Sequence, residues 1–308
     1  MEARASPPVR NSVCLQICYP AAMRAAAILG IGTSPDDLKR FETSTSSFQL
    51  GVPAEATGLD AILIFGGDGT IHRHLSELVR LKLPVLVVPR GSGNDFARSL
   101  DIGNLVQAAA IWKLFAEGAN NVRTLDLGVI TRLSPITEQT RYFSCVAGVG
   151  LDTATARFAN QLPRWLRGNG GYALSLPVAL AGFTPPQVDL RVDGQPHSSV
   201  PRVLAAFANT PWYGGGMHIA PKADMTDGLL DACIIGAMSK AKLLRLFPSV
   251  YGGNHLKFKE VEYFQAASFE LATQTSVEVY ADGEFVCQTP VAISAAKGAL
   301  RVIVPGSR

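Results

Sequence analysis

The stretch LDAILIFGGDGTIHRHLSELVRLKLPVLVVPRGSGNDFAR, residues 59–98, decides how the rest of the chain is read. Ala61–Phe65 is a short apolar run, the pattern of a strand buried on both faces. It enters Gly66-Gly67-Asp68-Gly69-Thr70, where three glycines in four positions let the backbone turn tightly and approach a ligand closely. Ile71, Leu75, Leu78 and Val79 recur at helical spacing, which places Thr70 at the helix N-cap. A second strand, Pro84–Val88, opens onto Gly91-Ser92-Gly93-Asn94-Asp95, and Phe96-Ala97-Arg98 begins another helix. Amide N–H groups and helix dipoles converging at neighbouring strand ends form an anion site. The expectation is a polyphosphate cradle for a nucleotide; the plain alternative is a pair of ordinary βα turns.

Composition limits the remaining classes. The chain has 308 residues, 47% hydrophobic and 17% charged, enough for two domains with cores. A net charge of +3 is too small to argue for nucleic acid. Five scattered cysteines, an odd number, argue against a disulfide framework and for a reducing cytosol. Cys14 and Cys18 have no second pair to complete a zinc site. The longest apolar stretch, Tyr172–Phe183, falls short of the roughly 20 residues that span a bilayer. Arg4 and Arg10 precede an apolar segment broken by Pro20, so no secretion signal is expected.

Along the chain, Ser12–Cys18 reads as the first strand, Tyr19-Pro20 as its loop, and the following residues to about Leu29 as a helix. Gly30-Ile31-Gly32 reads as a turn, since the third glycine of a dinucleotide fingerprint is missing. Lys39–Ser46 reads as a second strand, Leu105–Phe115 as a helix, and Val122–Val129 as a strand containing Asp126. From Tyr142 short strand-like runs alternate with turn residues, the signal of an all-β unit with helices inserted near 151–182 and 239–248. The expected organisation is α/β plus β, with an α/β nucleotide-binding unit over 1–126 and a β-rich, sandwich-like unit over 127–308.

The second half supplies carboxylates. Asp224 and Asp227 sit three apart on a loop before the strand Leu230–Ile235. Oxygen ligands at this spacing suit Mg²⁺, and an Asx turn before Gly228 explains the same spacing. Asp282-Gly283-Glu284 follows the strand Ser276–Tyr280, where Asp-Gly is by default a turn. Asp68, enclosed by glycines, needs a cation, a donor or the transferring group to meet its charge. His72 and His74 are two apart on a helix and face different sides, so they are not a metal pair. Gly91-Ser92-Gly93 lacks the spacing of a hydrolase elbow, which leaves Ser92 as a donor to phosphate. Leu162–Arg167, with two arginines and a tryptophan, is either a contact for anionic lipid headgroups or a solvated basic loop.

GGDGT at 66–70, PRGSGNDFAR at 89–98, GGGM…APKADMTDGLLD over 214–231 and DGE at 282–284 together resemble the diacylglycerol kinase catalytic-domain family, which includes bacterial lipid kinases and the sphingosine and ceramide kinases. The GGDG loop alone is shared with NAD kinases and phosphofructokinases, whose nucleotide-domain fold the resemblance implies. It implies ATP and Mg²⁺ as cofactors and a lipid hydroxyl as acceptor, first of all that of diacylglycerol. By resemblance Gly66, Gly67, Asp68, Gly69, Thr70, Gly91, Ser92, Asn94 and Thr43 would face the nucleotide. Asp227, Asp224 and the carbonyl of Leu229 would hold Mg²⁺. Glu284 would be the base, with Asp68 in the reacting centre and Asp282 beside it as metal partner or orienter. The last strand would return to the first unit. Tyr19 departs from the family's Asn in the first loop, the glycine there is absent, and His72-Arg73 replaces Asn-Glu.

The implied protein is cytoplasmic and peripheral at the inner face of the membrane. Other acceptors, a sphingoid base, ceramide or phosphatidylglycerol, stand beside diacylglycerol. A soluble kinase of the NAD kinase type and a nucleotide- or lipid-sensing module without turnover are the competing classes.

Overall fold

A computed structural model describes residues 22–133, 140–161 and 171–306. The expected strand at 12–18, the Tyr19-Pro20 loop and the basic Leu162–Arg167 segment lie outside the described residues.

The first half is a parallel sheet in the order β4 (Val85–Pro89), β3 (Ala61–Gly66), β1 (Met23–Leu29) and β2 (Ser46–Leu50). Helices α1 (Asp68–Leu81), α2 (Asp95–Ser99) and α3 (Leu105–Ala116) pack beside it. β3 and β4 are buried at every position, as expected of strands covered on both faces. Burying each large aliphatic side chain contributes roughly 1.5–3 kcal/mol. α1 turns Ile71, Leu75 and Leu78 into this core and ends where Lys82 takes a left-handed conformation.

Two expectations are corrected here. Residues Met23–Leu29, read as a helix, are strand β1, with Ala25 paired to Ala61 on one side and to Phe48 on the other. Alanine favours helices, but a run buried between two strands gains more from the ladder than from propensity. The Lys39–Ser46 strand is absent: Pro35–Arg40 is a 3₁₀ turn, and the strand begins at Ser46.

The second half is antiparallel. β5 (Val122–Arg132) pairs with β6 (Thr140–Phe143). β7 (Val146–Gly150) leads into α4 (Leu151–Gln161) and α5 (Gly171–Gly182). β8 (Gln187–Val192), β9 (Gln195–Ala208) and β10 (Leu230–Gly236) precede α6 (Lys240–Val250). β11 (Val261–Ala266), β12 (Ser268–Thr273), β13 (Glu278–Ala281), β14 (Glu284–Gln288) and β15 (Val291–Ile303) complete the chain. Phe207 of β9 and Phe269 of β12 pack with ring centroids 4.6 Å apart and planes tilted by 49°, in a core separate from that of the parallel sheet.

β15 joins the halves. Its first part pairs with β12 and β5; after a register break between Ala296 and Leu300, Val302 pairs in parallel with Val85 of β4. β13 pairs with both β7 and β14. The run Tyr142–Val146 is two strands, parted at Ser144-Cys145, whose amide N–H groups turn to a side chain described below.

Candidate active site

The loops after β3 and β4 meet backbone to backbone. A methyl group added at Gly91 would lie 2.4 Å from the Cα of Gly67, and one added at Gly67 would lie 2.9 Å from the Cα of Gly91. Glycine is needed at both because each is the other's wall. Asn94, left-handed at φ 53°, closes the second loop: its Oδ1 accepts from the Gly91 N–H at 2.9 Å and its Nδ2 donates to the Gly91 carbonyl at 2.6 Å. Ser92 stands exposed at the crest of that loop. Gly66, Gly67, Gly69, Gly91, Ser92 and Asn94 are therefore brought together.

Thr70 is not the N-cap. Gly67 holds that position, and the buried Thr70 side chain fills the space that methyl groups on Gly30 and Gly66 would occupy. A methyl on Gly30 would lie 2.6 Å from the Phe65 carbonyl oxygen and 2.7 Å from Thr70 Oγ1. Gly30 follows β1 directly, so the first loop does carry its glycine. Thr43 is not part of the cradle. It precedes Ser46, which pairs with Met23, at the end of β1 opposite Gly30.

Asp68 occupies the first turn of α1 and reaches to α2. Its Oδ2 accepts the Asp95 N–H and its Oδ1 the Phe96 N–H, both at 3.0 Å. Burial raises its carboxyl above the usual range in spite of those donors. Asp95, missing from the expected site, is the second buried acid. Its Oδ1 accepts from Arg98 Nη1 at 2.7 Å and its Oδ2 from the Gly215 N–H at 2.7 Å. Burial, with the neighbouring charge of Asp68, pushes it up to about 7.

The β13–β14 turn brings the opposite wall. Glu284 Oε1 lies 3.0 Å from where a methyl group on Gly69 would stand, so Glu284 and Asp68 share one cleft. Asp282 is fully buried and saturated: Oδ2 accepts from the Ser144 N–H at 2.8 Å, Ser144 Oγ at 3.1 Å and His72 Nδ1 at 3.1 Å, while Oδ1 accepts from the Cys145 N–H at 2.8 Å and the Val146 N–H at 3.3 Å. A carboxylate so engaged orients the turn and has little capacity left for a metal. Burial opposes protonation of His72, but its bond to Asp282 and the charges of Asp282 and Glu284 hold the imidazole above its usual range.

Asp224 and Asp227 lie in a different neighbourhood. Asp224 Oδ1 accepts from the N–H and Oγ1 of Thr226, and Asp227 Oδ1 accepts from the Leu229 N–H: the turn geometry expected as the alternative. Asp227 Oδ2 and Asp231 Oδ2 share the Gln265 amide at 3.1 Å each. The loop is tied to Asp126, whose Oδ2 accepts the Gly228 N–H at 2.6 Å and whose Oδ1 accepts the Gly298 N–H at 2.7 Å. Asn209 connects this region to the cleft, donating from Nδ2 to the carbonyls of Asp126 and Ser144. Among the described residues no three His, Cys, Asp or Glu side chains form a metal cage. Carboxylate oxygens such as those of Asp224 and Asp227 are the donor type that suits an ion keeping most of its waters, as Mg²⁺ does.

This architecture has known counterparts. The family model described as the diacylglycerol kinase catalytic domain matches residues 37–130, and that described as the YegS C-terminal NAD kinase beta sandwich-like domain matches residues 145–304. The diacylglycerol kinase of Mycobacterium tuberculosis strain H37Rv is 36% identical over 252 residues, 82% of this chain and 79% of its own. The chain belongs to the diacylglycerol kinase family of lipid kinases. The diacylglycerol kinase of Bacillus subtilis is 27% identical over 230 residues, 73% of this chain and 71% of its own. A crystal structure of a diacylglycerol kinase from Bacillus anthracis superposes with a TM-score of 0.66 at 19% identity, covering 92% of this chain and 97% of its own. An NAD kinase from Archaeoglobus fulgidus, solved with ATP, superposes at 0.52 with 17% identity, over 91% of this chain and 93% of its own. At such identities the likeness concerns the fold: an α/β nucleotide unit joined to a sandwich-like unit, as the sequence led us to expect.

Three features of the site escaped the sequence reading. Asp95 stood in plain view within GNDFAR. Gly30 was read as part of a turn after a helix, where the structure has strand β1. The His72–Asp282 pair joins positions 210 apart and carries no local signal.

Proposed function

We propose that this lipid kinase transfers the γ-phosphoryl group of ATP to the free hydroxyl of diacylglycerol, giving phosphatidic acid. The observation that carries the reading is the Glu284 carboxylate standing over Gly69, directly beside the glycine loops and Asp68. A phosphate cradle and a base within one cleft are what in-line phosphoryl transfer to an alcohol needs.

On this reading the loops at Gly66–Gly69 and Gly91–Asn94 hold the phosphates through amide N–H groups and exclude water from between them. Glu284 takes the proton from the lipid hydroxyl. Asp282, locked by its five donors, aims the turn that carries Glu284. Asp68 and Asp95 keep α2 and the Gly215 turn against the cradle. Asp227, Asp224 and the Leu229 carbonyl would hold Mg²⁺. An ion held there would offset the repulsion between Asp227 and Asp231, whose carboxyl is raised by burial and also by its neighbour's charge. The chain divides functionally near residue 126 into a nucleotide unit and a lipid-side unit, with β15 spanning both. On this reading the enzyme works peripherally at the inner face of the membrane, where its lipid acceptor lies.

The test is purified protein with radiolabelled ATP, Mg²⁺ and a panel of acceptors: diacylglycerol, ceramide, a sphingoid base and phosphatidylglycerol in mixed micelles, and NAD in solution. Label in phosphatidic acid is expected. Label in another lipid reassigns the acceptor, label in NAD replaces the reading, and ATP binding without turnover on any acceptor makes the protein a sensor.

A further inference from the structure

Helix α1 touches the β13–β14 turn at two points. At Gly69 a methyl group would lie 3.0 Å from Glu284 Oε1. His72 follows three residues later, a spacing that keeps it near the same face of the helix, and its Nδ1 donates to Asp282 Oδ2 at 3.1 Å. The His72 side chain is 11% exposed and that of Asp282 is fully buried, so water competes poorly for this bond. Arg73 does not share the role: its Nε donates to the Gly69 carbonyl at 2.9 Å.

The five donors that saturate Asp282 are not equivalent. Four of them, the N–H and Oγ of Ser144 and the N–H groups of Cys145 and Val146, belong to the same half of the chain as the turn. The Asp282 N–H completes that attachment by donating to the Val146 carbonyl at 3.0 Å. The fifth donor, His72, belongs to the helix that rises from the phosphate loop. The first four fasten the turn to its own sheet and leave its height over the cradle open. Among the five, only His72 ties it to α1.

The turn is tight enough to pass a displacement on. Asp282 and Gly283, at φ 51° and 83°, are the two central residues of a hairpin whose flanking Ala281 and Glu284 pair. A shift at Asp282 therefore carries Glu284, two residues further on, with it.

We propose that His72 is a positioning residue for the phosphoryl transfer: its hydrogen bond to Asp282 sets the place of Glu284 over the phosphate loop. The assignment rests on the lipid-kinase reading with Glu284 as base, and its test separates the two. His72→Leu removes the donor, whereas His72→Asn keeps one, its Nδ2 taking the place of the imidazole Nδ1. With His72→Leu, kcat is expected to fall roughly 100-fold, the effect of a displacement of about 1 Å at a reacting group. KM for ATP and the melting temperature stay at wild-type values, because the four donors from Ser144–Val146 still satisfy Asp282. His72→Asn is expected to recover the wild-type kcat. A folded His72→Leu protein with wild-type kcat, a rise in KM for ATP in place of the fall in kcat, or a His72→Asn protein as impaired as His72→Leu each overturns the proposal. If His72→Leu does not fold, His72→Ala is read in its stead; if neither folds, the histidine is structural and the proposal fails. Crystal structures of the wild type and the variants need no acceptor. Glu284 is expected to stand away from Gly69 in His72→Leu and to keep its place in His72→Asn, and an unmoved Glu284 in His72→Leu overturns the proposal. A displaced Glu284 in a protein whose wild type phosphorylates no lipid sinks the kinase reading and leaves the His72 anchor standing.

Discussion

Replacing Gly91 by alanine tests the contact on which the cradle depends. Gly91 is not at positive φ, so alanine is not strained by its own backbone. The obstacle is Gly67: the new methyl would sit 2.4 Å from its Cα and 2.9 Å from its N, whereas ordinary contact begins at 3.4 Å. Both opposing atoms are backbone, which has no rotamer to swing aside. The loops must part by about 1 Å, and a displacement of that size in a positioned site costs roughly 100-fold in rate, about 2.7 kcal/mol. Overpacking costs stability too, about 1–3 kcal/mol. Initial rates at varied ATP, with saturating lipid and a melting curve beside them, measure both. Gly182→Ala is the control, since a methyl group there meets nothing within 4 Å. A folded Gly91→Ala protein with wild-type kcat/KM for ATP would refute the claim that the loops act as one phosphate cradle.

Glu284→Gln is expected to lower kcat by about 10²–10⁴-fold while KM for ATP and the melting temperature stay put, because Glu284 is exposed and its role is chemical. Steady-state kinetics at full activity would remove it as the base. Asp282→Ala should behave in the opposite way, destabilising first: each buried donor left unpaired, among them the amides of Ser144 and Cys145, costs about 1–3 kcal/mol. Denaturant midpoints that match wild type would show that the β13–β14 turn does not depend on this anchor. For Asp95 the folded carboxyl is raised from 3.8 to about 7. Its stabilising contribution is therefore complete below about pH 4 and is lost as pH rises through 7, a swing on the order of 4 kcal/mol, with Asp68 shifted in the same direction. Asp95→Asn should flatten that slope and be more stable than wild type at pH 8, as urea titrations across pH 4–8 would reveal; parallel pH profiles would contradict it.

What could be read from residues alone was local. Ala61–Phe65 running into Gly66–Thr70, and Val85–Val88 into Gly91–Asn94, signal strand, tight turn and helix in succession, because burial periodicity and glycine's freedom act over a few residues. The same holds for the apolar run Leu230–Ile235 that marked β10, and for the Asp-Gly turn ahead of Glu284. Tertiary context decided the rest. Ala25–Ile28 forms a strand only because β2 and β3 flank it, and no propensity within the segment says so. Thr43 and Gly30 fall at opposite ends of β1, and ligands gather at the carboxyl ends of parallel strands. Asp282, a metal partner or orienter by resemblance, became an anchor because five donors from α1 and the Ser144–Val146 bend converge on it. Glu284 came to face Gly69 across more than two hundred residues by way of β13 pairing with β7. Local sequence carries dihedral preferences and burial patterns; which distant strand end faces which is set by the packing of the whole sheet.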